Sequence, residues 1–487
     1  MRLSPTFRKT IITASGLCLI LAALSDYAHT RTPGLNLPDM GDSSASVITP
    51  SDEAQIGGAL LARLRAKNKI IEDPEINDYI SYLGGRVAAQ TDQGAAGFRF
   101  FVVNDDSVNA FAAPGGFIGI HTGLFKIERT EGELAAVLAH ETAHVTQRHL
   151  ARTFEMADRY TLPVAVALIS AVLIGGSNSN LAQAAITGTI AGQAQSRVDF
   201  TREHEREADR VGLSILVAAG YDAHNMVSGF QRLLDATKIH GQGPPEYLRT
   251  HPLTTHRIAE VHDRASRLQR LPPEDDLPYQ LARAKLRILS SRKRDALAYY
   301  AAQSKHDAPA SPSHRYGLAL AYIENDRPLE ALPILDELSR HDPERTAYHI
   351  ATVDALNRSG QAQAALKKLE TALRLWPGSY PLGMLKARIL VAEGEYDPAI
   401  GILARLAAER PDHPGIFELA SLAKERNGDR PGAYLDLARQ YELLGRIETA
   451  VRQMRLAQRL PNLEERTAAS IDARLRRLER LEKALKN

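Results

Sequence analysis

The run His140-Glu141-Thr142-Ala143-His144 is the stretch of this chain best suited to chemistry. On a helix, positions i and i+4 share a face, so both imidazoles can aim a nitrogen at one metal ion. Glu141 then sits beside that ion, where a carboxylate can take a proton from water. Leu134, Ala135, Val137, Leu138 and Ala139 make the preceding turns apolar. Such a helix is buried, and two histidines and a glutamate without partners would be costly there. The plainer alternative is a polar helix end with His144 and His149 in water.

A catalytic zinc takes three protein ligands and keeps a fourth position open. The third ligand should come from another helix, and Thr201 to Asp209 is the candidate. Glu205 and Asp209 are four apart and share a face with Gly212 and Leu216. Glu205 can ligate zinc while Asp209 accepts the second N–H of a ligand histidine. Taken alone the segment is only a charge-dense helix start, and Glu203 and Glu207 stay open as other ligands. His251 precedes Pro252 and is therefore held in extended backbone, as in a loop. It is expected to approach the zinc as a fourth, regulatory ligand that closes the open position; a surface-loop histidine is the alternative. His256 and His262 lie beyond it.

A peptide substrate must be held extended, and a sheet edge supplies main-chain hydrogen bonds for that. Asn109-Ala110-Phe111-Ala112 and Gly115-Gly116-Phe117-Ile118 are candidates for this edge, or else form a plain hairpin. The supporting elements are read as follows. Ser51 caps a helix through Lys67, and Asp73-Pro74 starts another to Gln90. Strands cover Phe98–Val103, Ala110–Ala113 and Phe117–His121, the last two joined at Pro114-Gly115-Gly116. The metal-binding helix runs from Glu131 to Leu150. Residues 162–197, apolar and then rich in Ala, Gly and Thr, read as a buried helical hairpin or as a surface docking on membrane or unfolded chain.

Beyond a Pro- and acid-rich linker at 271–278, a period appears. Pro309, Pro343, Pro377 and Pro411 are 34 residues apart, as are Gly360, Gly394 and Gly428, and Ala331, Ala365, Ala399 and Ala433. That is the length of the tetratricopeptide helix–turn–helix unit. Gly445, Ala450 and Pro461 suggest a further half-unit, and 464–487 an amphipathic capping helix, or else a basic helix on a membrane surface.

The chain has 487 residues, 44% of them hydrophobic and 24% charged, as in ordinary globular proteins and unlike disordered or polytopic membrane chains. A net charge of +2 gives no reason to propose nucleic acid as a partner. The one cysteine, Cys18, excludes an intrachain disulfide framework and a thiolate zinc finger, which leaves the 16 histidines and the carboxylates to hold a metal. Arg2, Arg8 and Lys9 precede an apolar run from Ile11 to Leu24, with small residues at the exit. This is the layout of a signal peptide, the alternative being an uncleaved anchor. Its removal near residue 25 would take the net charge from +2 to about −1.

With these motifs in view, the chain resembles the peptidase family of HtpX and the CAAX-prenyl endopeptidases. The resemblance rests on His140-Glu141-Thr142-Ala143-His144, on Glu205-Arg206-Glu207-Ala208-Asp209, and on the Asn109–Ala112 and Pro114–Gly116 stretches. A signal peptide in front and tetratricopeptide repeats behind resemble the branch of that family found in Gram-negative bacteria. The resemblance implies one Zn²⁺ per subunit on His140, His144 and Glu205, with Glu141 as general base. It also implies a periplasmic endopeptidase that degrades misassembled outer-membrane β-barrel proteins and assists the assembly of correct ones, in contact with them or with their assembly machinery. No membrane-spanning helix is evident, which sets the chain apart from HtpX and puts prenylated substrates in doubt. The competing reading is a repeat-based chaperone or adaptor with a shut or structural zinc site. The expected fold is α+β, mainly α: a zincin-type domain with a small sheet over 51–270, then an all-α repeat solenoid over 279–463. A signal peptide (1–25) and a leader (26–50) precede it, and 162–197 could make peripheral membrane contact.

Overall fold

Helix α1 (Pro50–Ala66) is capped by Thr49, two residues before the expected Ser51. The Thr49 hydroxyl accepts the Asp52 N–H, and the Asp52 carboxylate receives the Thr49 N–H, so each end of the box satisfies the other. Asp73 caps α2 (Pro74–Ala88), accepting the N–H groups of Glu75 and Ile76. The computed structural model describes residues 49–150, 152, 194–239, 245–306 and 311–486. The expected signal peptide with Cys18, the expected leader up to residue 48, 162–193 of the apolar segment and Pro309 of the repeat period lie outside the described residues.

Strands β1 (Arg99–Val103), β2 (Ala110–Ala113) and β3 (Phe117–His121) form one sheet in the order β1-β3-β2. β3 runs parallel to β1 and antiparallel to β2. Gly115 and Gly116 make the β2–β3 turn at φ +75° and +76°, a region where L side chains are strained. A Cβ on Gly116 would also lie 1.9 Å from the Gly97 carbonyl oxygen.

Helix α3 (Glu131–Thr146) is apolar all round over Leu134–Ala139, where exposure never exceeds 4%, as befits a central helix. It packs on α2, on β2 and on α4 (Ala194–Ala218), with α5 (His224–Ile239) against its other side. It stops at Thr146, short of the expected Leu150. Gln147 and Arg148 form a turn, Arg148 takes φ +51°, and helical backbone resumes at His149. The short helix α6 (Glu246–Thr250) and α7 (Thr255–Ser266) flank His251.

Residues 271–276 are irregular, and Leu277 and Pro278, read as linker, are the first turn of α8 (Leu277–Ser290). From α8 onward the chain is helical pairs. Gly360, Gly394 and Gly428 fall between the two helices of a pair, Pro343, Pro377 and Pro411 just after the second. Ala331, Ala365, Ala399 and Ala433 are buried where the pair packs closely. The expected α+β, mainly α architecture with a small sheet and a repeat solenoid is what the protein adopts. A final helix (Glu465–Lys486) covers the last pair through Ile471, Leu475 and Leu478.

The repeats pack directly on the sheet-bearing part, and residues 48–487 form one unit. Lys285 of α8 is held between Glu75 and Asp73, the latter at 3.1 Å. Tyr279 donates to the Glu128 carbonyl and Arg283 to that of Phe125. Among the described residues no helix is long and apolar enough to cross a membrane.

Candidate active site

Helices α3 and α4 can touch because of Gly212. A Cβ there would come within 3.1 Å of the His140 backbone. This close approach brings Glu205, about two turns earlier on α4, against the histidines. The Nε2 atoms of His140 and His144 are 3.1 Å apart. Glu205 Oε2 lies 3.5 Å from the first and Oε1 3.5 Å from the second. His251 Nδ1 stands 2.9 Å from Glu205 Oε1. His140, His144, Glu205 and His251 each offer one ligand atom within 4.8 Å of all the others. The structure therefore gathers these four, while Glu203 faces solvent and Glu207 points to His149 instead.

Glu141 is fully buried, and neither carboxylate oxygen has a hydrogen-bond partner. His251 Nε2, at 3.7 Å, is too far to serve. A buried carboxylate without partners is costly, and it is understandable only if something else occupies the space before it. Three imidazoles and one carboxylate are a donor set suited to zinc, so the residues present fit that ion.

Asp209 Oδ1 is 3.2 Å from His140 Nδ1, the nitrogen facing away from the ligand cluster. Burial alone would lower the pKa of His140, but Asp209 and Glu205 outweigh it and raise it to about 9. Burial, against the pull of Glu205, holds His144 well below its usual value. Burial also opposes the ionisation of Glu205, yet His251 and the two helix histidines keep its carboxyl well below the normal range. An ionised Glu205 and a neutral His144 are already in the forms a metal needs, while His140 must release its proton on binding.

Sequence reasoning missed Arg257. It donates to both oxygens of Asp209 at 2.7 Å, lies 2.8 Å from Glu205 Oε2 and donates to the Pro252 carbonyl. Nothing local marks it among 60 lysines and arginines. Tyr247 was also missed; its ring stacks on His251 with centroids 4.7 Å apart.

The strand edge needs correction. β2 is an edge strand, but Asn109 and Phe111 turn their main chains toward β3, as the His121 N–H bond to the Asn109 carbonyl shows. In an antiparallel pair the alternate residues point the other way, so Ala110 and Ala112 present outward main-chain groups. Phe111 sends its side chain under α1, Asn109 is buried, and Gly115 and Gly116 belong to the turn. Ala110 and Ala112 alone of the candidates turn their main chains away from β3, and of these Ala110 is fully buried while Ala112 is half-buried, so Ala112 is the one placed to meet an extended chain.

Residues 74–265 match Peptidase family M48, and residues 356–423 match a tetratricopeptide repeat family. A putative beta-barrel assembly-enhancing protease of Vibrio cholerae is 35% identical over 468 residues, which cover 95% of this chain and 96% of that protein. The chain belongs to peptidase family M48. This M48 chain is a zinc metalloendopeptidase with tetratricopeptide repeats. The beta-barrel assembly-enhancing protease of Escherichia coli K12 is 30% identical over 98% of this chain and 97% of its own length. A mitochondrial metalloendopeptidase, OMA1 of Saccharomyces cerevisiae, is 32% identical over 34% of the M48 chain and 46% of that protein. Among solved structures, YrrB, titled a TPR protein with an unusual peptide-binding site, matches 37% of the M48 chain and 91% of its own at 21% identity and TM-score 0.27.

Proposed function

We propose that this endopeptidase works in the periplasm of a Gram-negative bacterium, cleaving misassembled outer-membrane β-barrel proteins and assisting the assembly of correct ones. His140, His144 and Glu205 would hold the zinc, and His251 would offer a further donor that shuts the site at rest. The observation that carries the site is the convergence of their donor atoms in front of an unpartnered Glu141.

When bound, zinc supplies Lewis acidity toward water and toward a carbonyl oxygen. The rest is done by the chain. Glu141 takes the proton of the attacking water on a carboxylate oxygen and returns it to the leaving amide nitrogen. The charge of Asp209, 3.2 Å from His140 Nδ1, favours a proton on that nitrogen, which leaves Nε2 free to ligate. The outward main chain of Ala112, the half-buried residue of that edge, pairs with the extended substrate. The repeats form a concave surface for protein partners. Support for the substrate class comes from the names of the full-length relatives.

Glu141→Gln tests the reading. It should retain one zinc and the wild-type fold but lose casein cleavage, and in cells it should trap outer-membrane proteins. Equal cleavage by wild type and variant would refute the protease mechanism. Retained zinc with no cleavage by either form would favour the second reading, a chaperone or adaptor whose site is shut, which the position of His251 against Glu205 makes worth testing.

A further inference from the structure

Behind His144 lies a second set of polar contacts that the proposed mechanism does not use. His144 Nδ1, the nitrogen turned away from Glu205, is 2.9 Å from His149 Nδ1. His149 Nε2 is in turn 3.1 Å from Glu207 Oε2. His149 is 3% exposed, and the ring of His204 stacks on it with centroids 4.2 Å apart and planes within 10°. Arg152 Nη1 lies 3.3 Å from the same Glu207 oxygen.

Two features suggest that these contacts are built. On an uninterrupted helix, residues five apart point about 140° away from each other, and His149 could not reach His144. The turn after Thr146 brings it back, and Arg148 takes φ +51° to make that turn. A non-glycine residue is strained there and persists only where its surroundings demand it; Arg148 is tied to Glu53 by an ion pair of 2.8 Å. The protons also admit one consistent arrangement. If His144 ligates through Nε2, its proton must be on Nδ1 and be donated to His149 Nδ1. His149 then carries its own proton on Nε2 and donates it to Glu207.

We propose that Glu207 and His149 form a hydrogen-bonded relay that fixes the tautomer and ring orientation of His144 as an Nε2 metal ligand. They are positioning residues, and they do for His144 what Asp209 and Arg257 do for His140. The relay rests on the reading of His144 as a ligand.

Zn²⁺ affinity measured against a competing chelator tests it, with folding followed by circular dichroism. Glu207→Ala and His149→Phe should each weaken Zn²⁺ binding by about 10- to 100-fold. Glu207→Gln keeps an oxygen that accepts the His149 N–H and should restore most of that loss, which a merely structural role for Glu207 would not predict. In the zinc-bound wild type, nitrogen NMR of histidine should find the His144 proton on Nδ1. Should His149→Phe fail to fold, Glu207→Ala decides, because the Glu207 side chain is 31% exposed and its removal opens no large buried space. Wild-type affinity in Glu207→Ala overturns the relay. His144→Ala separates the two claims: undiminished zinc binding there would overturn the ligand assignment, not the relay alone.

Discussion

Arg257 and Asp209 are joined by two hydrogen bonds of 2.7 Å, one to each carboxylate oxygen, with both side chains nearly excluded from water. Burial works against the charge of each, but each is the other's main compensation. Because Arg257 also contacts Glu205 and the Pro252 carbonyl, one guanidinium ties the zinc-ligand helix to the loop bearing His251.

Removing Arg257 leaves a buried Asp209 without its partner. Arg257→Ala should cost about 3–5 kcal/mol of stability and lower zinc affinity. Arg257→Lys restores the charge but not the two-pronged geometry, so it should recover only part. Denaturant titration and chelator competition measure the two effects; full rescue by lysine would mean that charge alone matters.

His251 is expected to hold the resting site closed. His251→Ala should raise basal casein cleavage while one zinc stays bound. Unchanged or lower activity with the fold intact would remove His251 from regulation.

Lys285 lies half-buried between Asp73 and Glu75 at the junction of the repeats with α2. Lys285→Ala should destabilise the protein by about 3–5 kcal/mol and expose the junction to limited proteolysis. Burial already holds the Glu75 carboxyl above its usual range. Without the lysine, Glu75 would take up a proton, so the penalty should be smaller at pH 5 than at pH 8. Equal penalties at both would show that Glu75 stays ionised.

His121 is buried beside Phe111 and bonded to Ser107, and burial pulls its pKa down to about 4. The unfolded chain takes up this proton near pH 6.5 and the folded one near 4. Its contribution is therefore complete above about pH 6.5 and is lost as the pH falls toward 4, the loss reaching roughly 2–3 kcal/mol by pH 4.5. His121→Asn keeps a group near the Ser107 hydroxyl but does not titrate. Compared by denaturation at pH 7.5 and 4.5, the variant should lose less stability than wild type; parallel losses would assign the acid sensitivity elsewhere.

The candidate site residues were legible because their spacing is local. His140 and His144 share a helix face whatever surrounds them, and so do Glu205 and Asp209. The repeat period, the caps at Asp73 and the turn at Gly115-Gly116 are likewise short-range consequences of residue type. Tertiary structure decided what depends on contacts across the chain. Arg257 reaches Asp209 from 48 positions away, and no local pattern marks one arginine for burial. The choice of Glu205 over Glu207 turned on how closely Gly212 lets two helices meet. Strand parity required the pairing register before Ala112 could be told from Phe111. His149, which reads as a polar residue at a helix end, is buried because the backbone at Arg148 reverses its direction. Helical spacing is a property of the chain alone, whereas a partner for a buried charge is a property of the fold, since only packing decides which groups lose water together.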